Sequence, residues 1–262
     1  MHAHYGLRIR QVLALTKYVI QQAAFERYFY GLFITVLIGL GISVVLSNLA
    51  ISGQTEVLTH LTLSLTELFG IVIVLTMAPS IILDAMQNRQ VYILLSRPLP
   101  RWAYVVGSCI GLFVFIGICT LLLGAMTTFL RFVHGGEIHT VWFVAMGTIF
   151  LSQITLAAAA MFFSTFSSKL LSAFFTFGLF MGGNGLSLLL QYADRSEGMN
   201  QFVLNAIAKI LPNLEDLNLK LAAVYNLDWM TRDLTMAVIN CVAWTVVYGF
   251  AAVLIFQRRN LK

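Results

Sequence analysis

The chain has 262 residues, of which 59% are hydrophobic and 10% charged, with a mean hydropathy of +0.86 and a formal net charge of +5. Soluble domains carry about 25% charged residues, and no polar stretch here reaches the ~50 residues that a separate soluble domain needs. The composition therefore excludes a water-soluble protein, and the basic residues gather at the ends of apolar runs, which speaks for membrane orientation rather than a nucleic-acid partner.

Strand-type alternation is absent, and only helices or closed barrels satisfy their backbone in lipid. The expected fold class is an all-α polytopic membrane protein, with residues 1–262 forming a single transmembrane domain in a lipid bilayer. The first 27 residues carry Arg8, Arg10, Lys17 and Arg27 without a clean apolar core and cleavage site, so a cleavable signal peptide is not expected. Within 1–28, residues 7–25 read as an amphipathic helix. Ile9, Val12, Leu13, Val19, Ile20 and Ala23 share one face, and Arg10, Gln11, Lys17, Gln21 and Gln22 the other. Such a helix lies in the membrane interface; an ordinary membrane-flanking segment is the plainer alternative.

A span needs ~20 mostly apolar residues. Six runs qualify, at roughly 29–50, 62–83, 104–129, 141–163, 170–191 and 234–257. The second, which contains "LTLSLTELFGIVIVLTMAPS", holds Glu67 and Pro79. An ionisable residue inside a membrane is costly and marks function by default. Glu67 thus faces the bundle interior or a conduit, or else sits near enough to the outer interface to be wetted. Pro79 is expected to kink the same span and to help a gate move.

Asp84 closes the second span, and "QNRQVYILLSRPLPRWAYVVG" follows. Pro98 and Pro100 stop a helix there. Arg89 lies upstream of the apolar patch that holds Tyr92, Leu94 and Leu95. Arg97 precedes the first proline, and Arg101 and Trp102 anchor the third span at headgroup depth. The segment reads as a short, broken interfacial helix. A plain basic loop is the alternative.

The fifth span contains "GLFMGGNG". Gly178 and Gly182 form G-x-x-x-G, which lets helices approach closely, and Asn184 can hydrogen-bond across. A dimer interface and packing within the chain are both open readings. In the loop 192–233, "QFVLNAIAKILP" and "LNLKLAAVYNL" are apolar but too short to span. They read as a re-entrant pair turning at Pro212-Asn213, with Phe202, Leu211 and Pro212 along a path or gate. The alternative is a hairpin lying flat on the outer surface.

Cys109, Cys119 and Cys241 lie inside apolar runs and read as small hydrophobes. The five histidines lack ligand spacing, so no metal site is expected, and no catalytic constellation stands out. Lys and Arg counts set the orientation. With the N-terminus inside, inner segments hold 11 and outer loops 5, four of them in 192–233. Both termini are expected to be cytoplasmic.

The run "YILLSRPLPRWAYVVGS" resembles the segment that follows the second span in ABC-2 type transporter permeases. Leu94-Leu95-Ser96, Pro98, Arg101 and Gly107 match that segment. Arg89-Gln90 stands where Gly-Thr is usual, and Ser108 where Lys is usual. The overall layout is similar along the whole chain, and the nitrous-oxide-reductase-maturation permeases are the subgroup it looks most like. The resemblance implies a homodimer in a bacterial cytoplasmic membrane, with the first and fifth spans near the interface. It also implies two separate ATPase subunits, which bind ATP and Mg and receive a cytoplasmic coupling helix. The coupling residues would be Asp84, Arg89, Tyr92, Leu94, Leu95, Arg97, Pro98, Arg101 and Trp102. No phosphate-binding G-x-x-x-x-G-K-[ST] occurs in this chain, which has no cofactor of its own on this reading.

Three functions follow as expectations. The first is the permease subunit of an ATP-driven exporter with a hydrophobic or amphipathic cargo. The second is a mechanotransmitter that moves a periplasmic partner protein through 192–233 without carrying a solute. The third is a secondary carrier, which would need convergent mid-membrane carboxylates that Glu67 alone does not supply.

Overall fold

The computed structural model describes residues 2–50, 53–87, 101–137, 139–196, 198–227 and 232–258. Among these the regular elements are all helical: α1 (His2–Phe25), α2 (Arg27–Leu49), α3 (Gln54–Gln87), α4 (Arg101–Val133), α5 (Thr140–Ser164), α6 (Lys169–Asn184), α7 (Leu186–Arg195), α8 (Met199–Ile210), α9 (Lys220–Tyr225) and α10 (Arg232–Arg258), with a short 3-10 turn at Glu215–Leu217. Five of them are long and apolar enough to cross a membrane, and α6 with α7 forms a sixth if that bent pair counts as one span. The chain is a polytopic helical membrane protein.

Most expected spans fall inside these helices, but two differ. α3 begins eight residues before the expected start, because "QTEVLTHL" is mixed in polarity yet helical in its preferences. The expected fifth span is broken at Asn184-Gly185, where α7 turns away from α6 by 69°. Hydropathy does not register that break; the glycines of "GGNG" make it.

α5 is the central helix and touches α3, α4, α6 and α10. Its stretch Ala157–Met161 is fully buried. Four successive alanines let the neighbouring helices come close on every side, which is how helices associate where lipid removes the hydrophobic drive. Polar side chains hold the same helix. Gln153, 1% exposed, accepts from Thr120 of α4 at 2.8 Å and donates to the Thr66 carbonyl of α3 at 3.4 Å. Thr155 pairs with Thr245 of α10 at 3.0 Å. By contrast α2 and α10 leave most of their apolar surface uncovered by the rest of the chain.

α1 packs on the first half of α4. Its covered stripe is Leu15, Thr16, Val19 and Ala23, whereas Leu13, expected on that face, is exposed. Thr16 shifts the stripe, because its hydroxyl satisfies the Gly107 carbonyl at 3.3 Å and so can be buried. Gly107 and Gly111 make the contact. A Cβ on Gly111 would lie 2.8 Å from the Val19 Cβ. Leu15 sits over Gly107 and Val19 over Gly111, so the two helices run in the same sense.

The ends of the bundle can be matched through side chains. Asp84 of α3 pairs with Lys169 at the start of α6. Near that end the Tyr104 hydroxyl donates to the Ile81 carbonyl at 3.2 Å, and its ring stacks on Phe256 of α10 at 5.8 Å. The α4–α5 turn and the segment after α6 lie towards the opposite end.

Candidate functional site

α6 is only 16 residues long, about 24 Å, less than the ~30 Å a membrane core requires. At its end Gly183 admits backbone of another segment where a side chain would stand. A Cβ on Gly183 would lie 2.8 Å from the Pro212 carbonyl oxygen, and the Leu214 amide donates to the Gly183 carbonyl at 3.1 Å. The chain leaves along α7, returns along α8, and sets residues 211–217 on the broken end of α6. Leu214 and Leu217 are buried there at 2% exposure each, and Leu211 covers Gly182.

Buried irregular backbone must find partners, and neighbouring elements supply them. The Asn213 amide donates to Asn240 Oδ1 of α10 at 3.2 Å, and Cys241 Sγ donates to the Asn213 carbonyl at 3.4 Å. Asn213 Nδ2 donates to Asp216 at 2.6 Å. Glu215 accepts from the Ser187 amide at 2.8 Å and from the Ser187 hydroxyl. A carboxylate thus caps the start of α7, where the helix dipole favours negative charge.

Beyond this turn, Lys220 at the start of α9 forms an ion pair with Glu67 of α3. Both side chains are mostly buried, at 16% and 13% exposure. Glu67 lies 17 residues, about 25 Å, along α3 from Asp84. Gly183 and Asn240 lie at a similar distance from the same end of their own helices, so a polar layer crosses the bundle at one level. α9 then runs back along α3 and α5. Arg131 of α4 closes the site from the far end. It lies over the Trp142 ring at 5.3 Å, and its Nη1 reaches the Ala223 carbonyl at 3.5 Å.

The segment 211–223 is therefore clamped on α3 and α4 by two cation contacts and seated on the α6 break. Removing one member of a buried pair strands the other charge and costs about 3–5 kcal/mol. Both contacts tie the segment to the long helices.

The sequence-predicted residues divide. Glu67 holds Lys220, and Leu211 and Pro212 sit on Gly182 and Gly183. Phe202 joins neither contact, because α8 has no buried residue and Phe202 is 72% exposed. Residues 211–217 are thus seated on the bundle, whereas α8 is exposed. Pro79 lies buried inside an α3 that continues through it. Gly178 stands open on the face of α6 with Phe174, Phe177 and Met181, whereas the space above Gly182 is taken by Leu211, and Asn184 donates to the Phe180 carbonyl of its own helix at 3.1 Å. Asp84 holds Lys169, and Trp102 lies half-buried in the first turn of α4, which Arg101 begins. Arg89, Tyr92, Leu94, Leu95, Arg97 and Pro98 lie outside the described residues.

In the sequence Lys220, Lys169 and Arg131 stand out only as orientation charges. A lone Lys inside "LNLKLAAVYNL" and a lone Glu inside "LTLSLTELFGIVIVLTMAPS" are the signal for the first pair. No protein-family model matches the chain, and no curated protein matches it.

Proposed function

We propose that the chain is the permease subunit of an ATP-driven transporter, a homodimer in a bacterial cytoplasmic membrane with both termini inside. Its ATPase is a separate chain in two copies that binds ATP and Mg. The observation that carries this reading is the punctuated run "YILLSRPLPRWAYVVGS", which follows α3 in sequence, continues into α4, and resembles the coupling segment of ABC-2 type permeases. Two features of the bundle support it. Asp84, eight residues before the run, is tied to Lys169, which links the end of α3 to α6. α6 in turn ends under residues 211–214. A path therefore leads from the cytoplasmic segment through α6 to a seated segment that acts as the gate.

The second copy packs on the uncovered face of α6 around Gly178 and on the exposed stripe Ile34, Ile38, Ile42 and Val45 of α2. The spanning helices are dominated by aliphatic and aromatic side chains, which suits a hydrophobic or amphipathic cargo. A mechanotransmitter is the second reading. What favours it is the α7–α8 hairpin, whose exposed Tyr192, Met199 and Phe202 offer a handle to an outer partner protein.

The test is ATPase activity of the complex isolated from its native membrane, with Arg97→Glu and Arg101→Glu combined. The expected outcome is loss of the ATPase from the complex or hydrolysis that no longer responds to cargo. Unchanged association and unchanged coupled hydrolysis would contradict the assignment.

A further inference from the structure

A cavity of about 400 Å³ lies between the start of α3 and α9, apart from the seat of residues 211–217. That volume falls within the range of small-molecule sites. Glu56 and His60 line it from α3, and Leu221, Val224 and Tyr225 line it from α9. Glu56 and His60 stand four residues apart, and Leu221 is followed by Val224 and Tyr225 at helical spacing, so each helix gives the cavity one face.

Its chemistry differs from that of the larger groove along α4 and α5. There the lining is apolar apart from Thr120 and Thr128, whose hydroxyls already bond within the protein. At the α3–α9 cavity the polar groups are unspent. Among the described residues Glu56 has no ion-pair partner, and the side chains of Glu56, His60 and Tyr225 form no hydrogen bond. The Glu56 carboxylate folds back over Gly53, where a Cβ would stand 2.5 Å from its Oε2 and where φ is +72°. That glycine leaves the carboxylate its place at the mouth of the cavity. Carboxylates and imidazoles avoid hydrocarbon, so the cavity opens to water at the end of the bundle away from Asp84.

We infer that this cavity binds a small organic amine with an apolar body. The ammonium meets the Glu56 carboxylate, with His60 and the Tyr225 ring beside it, and the hydrocarbon lies on Leu61, Leu221 and Val224. An unpaired carboxylate and an aromatic ring both favour a cation. A bare metal ion fits less well, because among the described residues no third His, Cys, Asp or Glu joins Glu56 and His60. Lys220, one residue before Leu221, holds α9 on α3 through Glu67, so the buried pair also sets the two walls against each other. The inference rests on the cavity, not on the proposed transport activity.

The test is calorimetric titration of the full chain in detergent with phenethylamine. Phenethyl alcohol serves as its neutral match and empty micelles as the blank. The expected result is saturable binding of one amine per chain, none of the alcohol, and affinity at least tenfold weaker in Glu56→Gln. Leu221→Trp, at a position 60% exposed, should put a ring into the cavity and weaken binding as much, with the unfolding midpoint unchanged. Absence of saturable amine binding would overturn the assignment. So would equal affinity in the wild type and both variants, or equal binding of the amine and the alcohol. Saturable binding of zinc ions in place of the amine would overturn it in favour of a metal site.

Discussion

Gly70 and Gln153 show how a single position is fixed in this bundle. Gln153 crosses from α5 to bond Thr120 and the Thr66 carbonyl, and its amide fills the space where a Gly70 side chain would stand. Gly70→Ala should therefore push a buried amide off its partners, at a cost of about 1–3 kcal/mol. Gly147→Ala, with open space around it, should be neutral or gain about 0.5–1 kcal/mol from helix propensity. Thermal unfolding in detergent would separate the two, with the midpoint lowered only for Gly70→Ala. Neither role was legible in the sequence. Gln153 is one polar residue in an apolar span, and its partners lie 33 and 87 residues away.

The elements themselves were largely legible, because apolar runs of this length can only be membrane helices. What hydropathy could not give is how they meet. The α1–α4 contact depends on Gly107 and Gly111, yet Gly107 stood out only as part of a family-like run, and Thr16 looked polar although it is buried. Gly111→Leu should displace α1 while the other helices stay packed. A maleimide should then label Leu15→Cys quickly, whereas with Gly111 intact the same site should stay protected. The break in α6 was visible as "GGNG" but open to other readings. Glycine marks close approach without saying what approaches, and here it is residues 211–214 of the same chain. Cysteine labelling should likewise divide the loop. Phe202→Cys on α8 should react at least tenfold faster than Leu217→Cys, because the first is 72% and the second 2% exposed.

At the scale of the whole molecule, α3 is the spine. Two of its three carboxylates, Asp84 and Glu67, about 25 Å apart, hold Lys169 at the start of α6 and Lys220 at the start of α9. Pairing across 85 and 153 residues cannot be read from spacing; it takes the fold to bring these charges together. Lys220→Met should leave Glu67 charged and unpaired, destabilising the protein by about 3–5 kcal/mol. Adding Glu67→Gln should restore part of the loss, so the double variant unfolds at a higher temperature than Lys220→Met alone. Equal midpoints would mean that the pair is wetted and holds nothing.

The account as a whole turns on whether a motor sits beneath this bundle. The most direct measurement is to isolate the chain from its native membrane in mild detergent and identify what accompanies it. The account predicts a P-loop ATPase in equal numbers with the chain, in a particle containing two of each. A chain that comes out with no ATPase, from membranes in which it is functional, would contradict it and return attention to Glu67 and Lys220 as the centre of a carrier that runs without ATP.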